Sequence, residues 1–136
     1  MKIIKRAVLV LFIVFLLSLG LVVIPYFANM VMPWQRAEII ETALTWGGLK
    51  ELPANAEVIS VETKGSVFSR EFIIEFECER QSLENWMDEN GLDNPVPTET
   101  EDGLRMYHVA GHEGAIGGKV LVDLDKGKVV IDMSWS

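Results

Sequence analysis

AVLVLFIVFLLSLGLVVI, residues 7–24, is an uncharged apolar run in which only Ser18 and Gly20 interrupt the large apolar side chains. At about 1.5 Å rise per residue, this run and its apolar flanks are long enough to cross a hydrocarbon core of about 30 Å. A helix is required there because lipid offers no partners for free backbone groups. The sequence therefore predicts one transmembrane helix over residues 7–28, with the lipid bilayer as its partner.

The residues before the run predict its orientation. Lys2, Lys5 and Arg6 form a basic tail over residues 1–6, and such charges are retained on the cytoplasmic side of a membrane. We therefore expect a single-pass protein of the cell membrane, with residues 29–136 forming an extracytoplasmic domain. The single cysteine and the absence of an N-x-S/T sequon are typical of a bacterial envelope protein, periplasmic or on the outer face.

A cleaved signal peptide is the alternative interpretation of the run. The apolar region of such a peptide is about 7 to 15 residues long and ends at a small-x-small site. Ala28 is the best small residue near the end of the run, but the bulky Tyr26 stands two positions before it. The run is therefore interpreted as a retained anchor. A lipoprotein is excluded because the acylated cysteine must directly follow the signal, and the only cysteine is Cys78.

The chain beyond the basic tail is acidic. Removing the three tail cations from 12 Lys and Arg leaves nine, against 20 Asp and Glu, which is a net charge of minus eleven. This balance argues against nucleic acid or anionic lipid headgroups as partners, because phosphates bind clustered Lys and Arg. The acidic charge could serve to bind a cationic ligand or a basic protein, or it could only keep the domain soluble. About 100 residues suffice for one domain with a core of its own.

The hydrophobic periodicity predicts seven elements in this domain. They are a helix over 33–46, strands over 57–63 and 70–79, a helix over 82–91 capped by Ser82, and strands over 104–109, 119–125 and 128–135. The order α-β-β-α-β-β-β predicts an α+β domain with both helices on one face of an antiparallel sheet. The alternative for the first helix is a kinked stalk that continues the membrane helix through Pro25 and Pro33.

The apolar residues also predict which side chains share a face. The first helix should bury one stripe, which consists of Trp34, Ala37, Ile40, Ala43 and Leu44. The first hairpin should turn at residues 64–66 and pair Val61 with Phe72 and Ile59 with Ile74. The last hairpin should turn at Lys126 and Gly127, with the pairs Leu124–Val129, Val122–Ile131 and Val120–Met133. We expect the four tryptophans to be core anchors, with Trp34 and Trp135 as the exceptions.

His108, His112 and Glu113 are the candidate metal ligands. Both imidazoles are possible zinc ligands, but their spacing suits one face of a helix and the region is predicted to be a strand that ends in a turn. The HExxH order of a metalloprotease is absent. We therefore predict no metal site, with His108 on the face of Leu104 and Met106 and His112 exposed.

Three other patterns contain residue types that could form a site. Cys78 with a histidine would make a nucleophile and its base, but the alternation places Cys78 inward as an apolar filler. The glycines of the turn over 111–118 resemble a phosphate cradle, but a strand follows them where the cradle needs a helix. The loop over 93–102 carries Asp93, Glu99, Glu101 and Asp102, whose spacing does not match a calcium-binding EF-hand loop.

No catalytic residue and no cofactor are predicted. The leading hypothesis is a membrane-anchored protein-binding or assembly module without chemistry of its own. The alternative is an envelope enzyme or metal-binding sensor that uses His108, His112, Cys78 or the acidic loop. A third possibility is that the soluble part only positions or protects the anchor.

Overall fold

The computed structural model describes residues 1–92, 97–100 and 102–136. It shows a long apolar helix followed by a small domain of mixed α+β structure, in which an antiparallel sheet packs against helices. The predicted fold class is confirmed at this level.

The first helix, α1, spans Lys2–Phe27. It is long and apolar enough to cross a membrane, and none of its most apolar 18-residue window is buried. The helix ends because Asn29 adopts a left-handed conformation, which asparagine tolerates better than most residues. The backbone N–H of Met30 donates to the carbonyl of Pro25 at this end. The kinked-stalk alternative is therefore wrong, since the chain leaves the helix before Pro33.

The second helix begins with a 3₁₀ turn over Pro33–Gln35 and continues as α2 over Arg36–Gly47. Gly48 ends it in the left-handed conformation, as glycine commonly does after a helix. Ala43 and Leu44 are buried and Ile40 packs against the core, as predicted. The other part of the predicted stripe, Trp34 and Ala37, is exposed, because the tighter 3₁₀ winding shifts the stripe at the start.

The third helix, α3, spans Arg80–Glu89. It begins two residues earlier than predicted, so Ser82 lies inside the helix and is not its cap. The side chains of Leu83, Trp86 and Met87 are buried as predicted. Leu92 is also buried, and its N–H donates to the Met87 carbonyl after a left-handed glycine.

The sheet has strands β1 (Glu57–Gly65), β2 (Arg70–Glu77), β3 (Thr98–Glu99), β4 (Arg105–Ala110), β5 (Gly117–Asp123) and β6 (Lys128–Trp135). Their order is β1-β2-β6-β5-β4-β3, and every neighbouring pair is antiparallel. The two-residue β3 lies in the segment that was predicted to be a loop. The last strand of the chain therefore occupies the centre of the sheet, between β2 and β5.

The predicted register of the first hairpin is wrong by two residues. Val61 lies opposite Ile74, and Thr63 lies opposite Phe72. The hairpin turns over residues 66–69, later than predicted, because the strands stay paired as far as Gly65 and Arg70. A bulge between Val58 and Ser60 then turns Ile59 outward.

The predicted register of the last hairpin is also wrong by two residues. The pairs are Val122–Val129, Val120–Ile131 and Gly118–Met133. The turn has four residues, 124–127, because the Asp123 carboxylate accepts the N–H groups of Asp125 and Lys126 and holds them outside the ladder. A two-residue shift leaves each side chain on its own face, so the predicted inward set still contacts the core.

The two faces of the sheet have different surroundings. The inner face packs on α2 and α3 and forms the core, in which Ile74, Phe76, Val120, Val129 and Ile131 are fully or almost fully buried. The opposite side, here called the open face, has no helix packed on it in the part of the chain that the structure describes. Registers place the following charged and apolar residues on the open face: Glu57, Glu62, Lys64, Glu71, Ile73, Glu75, Glu77, Met106, His108, Lys119, Leu121, Asp123, Lys128, Val130 and Asp132.

Candidate functional site

A groove lies where the end of α1 meets α2 and the first hairpin, and we call it the junction groove. Its volume is about 500 Å³. Tyr26 and Met30 line it from the α1 end, Glu38 from α2, and Arg70 and Phe72 from β2. Apolar and charged side chains therefore meet at the point where the chain leaves the apolar helix.

Arg70 joins the two parts of the chain at this groove. Its guanidinium carbon lies 4.1 Å from the centroid of the Tyr26 ring, and its Nη1 donates to the Asn29 Oδ1 at 3.4 Å. A cation over an exposed aromatic face contributes about 0.5 to 1 kcal/mol. The hairpin is thus held against the end of α1 by contacts with two residues that flank its terminus.

Large apolar side chains are exposed close to this junction. Trp34 is 75% exposed in the 3₁₀ turn, and Val67 and Phe68, in the turn of the first hairpin, are 58% and 83% exposed. Arg70 follows Phe68 by only two residues. Isolated exposed apolar residues are common. Three of them beside the end of an unburied apolar helix, however, form a surface suited to contact a membrane or a protein partner.

The open face carries a second apolar surface. Val130 lies opposite Leu121, and Leu121 lies opposite Met106. Ile73, on the next strand, is diagonal to Val130. All four side chains are partly exposed, so they form a continuous patch across four neighbouring strands, here called the open-face patch.

Charged side chains surround the open-face patch, and acids outnumber bases. Glu71 and Asp132 lie on neighbouring strands, and a hydrogen bond with the Asp132 carboxyl, together with burial, raises the pKa of Glu71 above its ordinary value. The Lys119 ammonium lies 3.7 Å from Asp132. The Lys128 ammonium pairs with Glu75 at 2.7 Å, and that carboxylate raises the pKa of Lys128.

The two histidines line one cleft of about 290 Å³, here called the histidine cleft. His108 borders it on β4, and on the open face it also lies beside Glu71, Lys119 and Asp132. His112 reaches it from the following turn, where its backbone N–H donates to the Trp46 carbonyl at 2.8 Å and its ring packs on Gly48. The two histidines therefore border one cleft, although His108 belongs to the open face and His112 packs on Gly48 after α2.

Tyr107 also lines the histidine cleft, and the periodicity of the sequence had not singled it out. Its side chain is almost fully buried, and its hydroxyl finds no hydrogen-bond partner among the described residues. As predicted, His108 and Met106 share a face, but it is the open one. Tyr107 and Val109 fill the core in their place.

The metal-ligand candidates do not assemble into a larger set in the described ranges. No group of three or more His, Cys, Asp or Glu side chains that could hold a metal ion occurs there. Glu113 is exposed in the turn, with a left-handed backbone. A structural zinc site needs about four ligands, and the cleft offers two imidazoles.

Cys78 lies at the other end of the sheet from His112. It follows β2 and its N–H donates to the Gly127 carbonyl, whereas His112 follows the far end of β4. Six residues of β6 separate these two ends, or roughly 20 Å. Burial, and then the charge of Glu79, raise the pKa of the Cys78 thiol. A catalytic thiolate needs a lowered pKa and a nearby base, and this environment supplies neither.

The acidic loop was the last predicted candidate. Asp93, Glu101 and the side chain of Glu99 lie outside the described residues, as do residues 94–96. Asp102 is exposed in the described part.

The tryptophans follow the prediction. Trp86 is 2% exposed, stands edge-on to Phe76 and donates its indole N–H to the Glu51 carbonyl at 3.0 Å. Trp46 stacks on Phe72 at 4.7 Å. Trp34 and Trp135 are the exposed exceptions.

Comparison with known proteins gives no relative for this arrangement. No protein family model, curated protein or solved structure matches the chain. Function is therefore inferred from the residues and their geometry alone.

Sequence reasoning missed the junction groove and the open-face patch. The groove joins residues about 40 positions apart, and local periodicity does not report such contacts. One signal was present for the hairpin turn: Val67 and Phe68 are bulky apolar residues between two serines, in a turn where polar residues are usual.

Proposed function

We propose that this chain is a single-pass membrane protein whose extracytoplasmic domain binds a protein partner through the open face of its sheet. In this proposal α1 is retained in the cell membrane, the basic tail stays in the cytoplasm, and the domain assembles with a partner in the same envelope. Attachment to one membrane raises the effective concentration of the two proteins for each other. The domain carries out no chemistry of its own.

The composition of the open face is the observation that carries this proposal. The open-face patch offers apolar contact area, and the surrounding charges comprise seven acidic and three basic side chains, or a net charge of minus four. An apolar centre with a charged rim is the usual anatomy of a protein interface. The excess of acid favours a partner that presents Lys or Arg around an apolar centre.

Site-specific photocrosslinking in intact membranes tests this function. A benzophenone amino acid replaces Leu121 or Val130 on the open face, and Gln81 or Asn85 on the exposed side of α3 in the controls. We expect one adduct of defined mass from the two open-face positions and none from the controls. Glu62→Lys, a charge reversal on the rim, should weaken the adduct because the partner is basic. Equal adducts from both faces, or none from the open face, would contradict the proposal.

An envelope enzyme or metal sensor is the second candidate, and one observation favours it. His108 and His112 border the same cleft as Tyr107, whose buried hydroxyl has no hydrogen-bond partner among the described residues. Metal analysis of the full-length chain separates this candidate from the first. A stoichiometric metal that His108→Ala and His112→Ala both remove would establish a metal site.

A further inference from the structure

The turn of the first hairpin, residues 66–69, presents its apolar side chains to the surroundings. Val67 and Phe68 are more than half exposed, although burying a phenylalanine is worth about 1.5 to 3 kcal/mol. Neither side chain packs into the core. Their position at the tip of a hairpin lets both side chains reach an external apolar phase together.

This turn lies beside the exit of α1. Arg70 lies two residues beyond Phe68, packs its guanidinium on Tyr26 and donates to Asn29. Trp34, exposed in the 3₁₀ turn, lines the same junction groove. Aromatic residues and arginine are the side chains that anchor proteins at the level of lipid headgroups.

The charges near the junction differ from those of the rest of the domain. Residues 25–37 and 63–70 contain Arg36, Lys64 and Arg70 and no Asp or Glu, and Glu38 is the one acid among the residues that line the junction groove. The chain beyond its basic tail, by contrast, carries a net charge of minus eleven. Cations beside an anionic leaflet are attracted to it, whereas the acidic remainder is repelled. The part of the domain nearest the end of α1 is thus the part suited to headgroups.

The turn also satisfies several of its own polar groups. The N–H of Ser66 donates to the Ser69 carbonyl at 2.9 Å, and the N–H of Phe68 donates to the Ser66 hydroxyl at 3.2 Å. The two serine hydroxyls lie 3.2 Å apart. Moving a backbone group out of bulk water costs less free energy when the group is already hydrogen-bonded. This pairing suits a segment that enters the headgroup layer.

We infer that the turn over residues 66–69 inserts Val67 and Phe68 into the lipid interface beside α1, so that the domain contacts the membrane at a second point. The ligand is a lipid surface with some anionic headgroups. The inference rests on the proposed membrane insertion of α1, and it does not depend on the proposed protein partner.

Fluorescence quenching of the full-length chain in vesicles tests this inference. In a Cys78→Ser background, a nitrobenzoxadiazole probe is attached to Val67→Cys, which keeps Phe68 in place. Ile59→Cys is the matched control, because Ile59 is an exposed apolar residue of the same hairpin, roughly 20 Å from the turn. Phe15→Cys reports the insertion of α1. The vesicles contain phosphatidylcholine and a minor fraction of phosphatidylglycerol, with spin labels high on the acyl chains.

The expected result is that lipid-borne spin labels quench the probe at 67, and that its emission shifts to the blue. Aqueous iodide should quench it several-fold less than the probe at 59. Phe68→Asp should abolish the lipid quenching at 67, and Ile59→Asp should not change it. Equal access of iodide to positions 67 and 59, together with lipid quenching at 15, would overturn this inference and leave the insertion of α1 standing. Loss of lipid quenching at 15 would overturn the insertion of α1 and this inference together.

Discussion

Two neighbouring valines of β6 provide a direct test of which face of the sheet is core. Val129 is fully buried against the helices, and Val130 belongs to the open-face patch. Val→Ala removes the same two methyl groups at both positions. The chemistry of the change is therefore constant, and only the surroundings of the side chain differ.

The expected magnitudes follow from the burial of each residue. At Val129 the transfer of two buried methyl groups is worth about 1.6 kcal/mol, and the cavity left in the core raises the loss to about 2 to 3 kcal/mol. At Val130, which is partly exposed and has no helix of the described residues packed on it, the loss should be about 0.5 kcal/mol. For a domain of this size, about 2 kcal/mol lowers the Tm by about 10 °C.

Near-ultraviolet circular dichroism of the full-length chain in detergent micelles is the suitable assay. The backbone of α1 is hydrogen-bonded within the helix and stays helical in a micelle, whereas the near-ultraviolet signal follows the packing of Trp46 and Trp86 in the domain. We expect Val129→Ala to lower the Tm clearly and Val130→Ala to leave it nearly unchanged. Because a one-residue slip exchanges the faces of a strand, equal or reversed effects would refute the assignment of the open face.

Two further predictions concern titratable groups. The raised pKa of Glu71 means that its proton stabilises the folded state below pH 4.5, and that this contribution is lost as pH rises through the raised value. The free energy of unfolding of the unmodified chain should therefore fall relative to that of Glu71→Gln over this window in urea titrations, and a relative rise with pH would contradict the Glu71–Asp132 contact. Cys78, whose thiol pKa is raised by burial and by Glu79, should react with Ellman's reagent near neutral pH more slowly than free cysteine. Denaturant should remove the difference, and a reaction faster than that of free cysteine would favour the enzyme alternative.

The element types were predictable because their signals are local. The alternation of Phe72, Ile74 and Phe76 with polar residues is enough to identify β2, and the glycines after α2 and α3 mark both helix ends. The faces of β2, β5 and β6 were predictable for the same reason, since a period of two assigns each side chain to one side. This explains why the core could be predicted although both hairpin registers were wrong. On β4, in contrast, Tyr107 and Val109 face the core and Met106 and His108 do not.

The registers were not predictable because they depend on the length and conformation of each hairpin turn. The Asp123 carboxylate lengthens the last turn to four residues, and in the first hairpin the strands stay paired as far as Gly65 and Arg70. A shift by two residues keeps each side chain on its own face, so hydrophobic patterning does not choose between the registers. The exception is Ile59, which the bulge in β1 turns outward. The histidine cleft was missed for a different reason: the turn after Ala110 folds His112 back onto Gly48, and sequence spacing does not report that contact.

The two proposed surfaces are compatible because they lie at right angles on the sheet. The turn over residues 66–69 is at one end of β1 and β2, so a turn that enters the lipid interface makes the strands rise away from the membrane. The open face is then directed along the membrane plane, toward neighbouring proteins.

Electrostatics supports the same orientation. Residues 25–37 and 63–70 carry a charge of plus three, so the remainder beyond the basic tail carries minus fourteen. An anionic leaflet attracts the first set within a Debye length of about 8 Å and repels the second. The acidic rim of the open face is thereby kept in water, where a basic partner anchored in the same membrane can reach it.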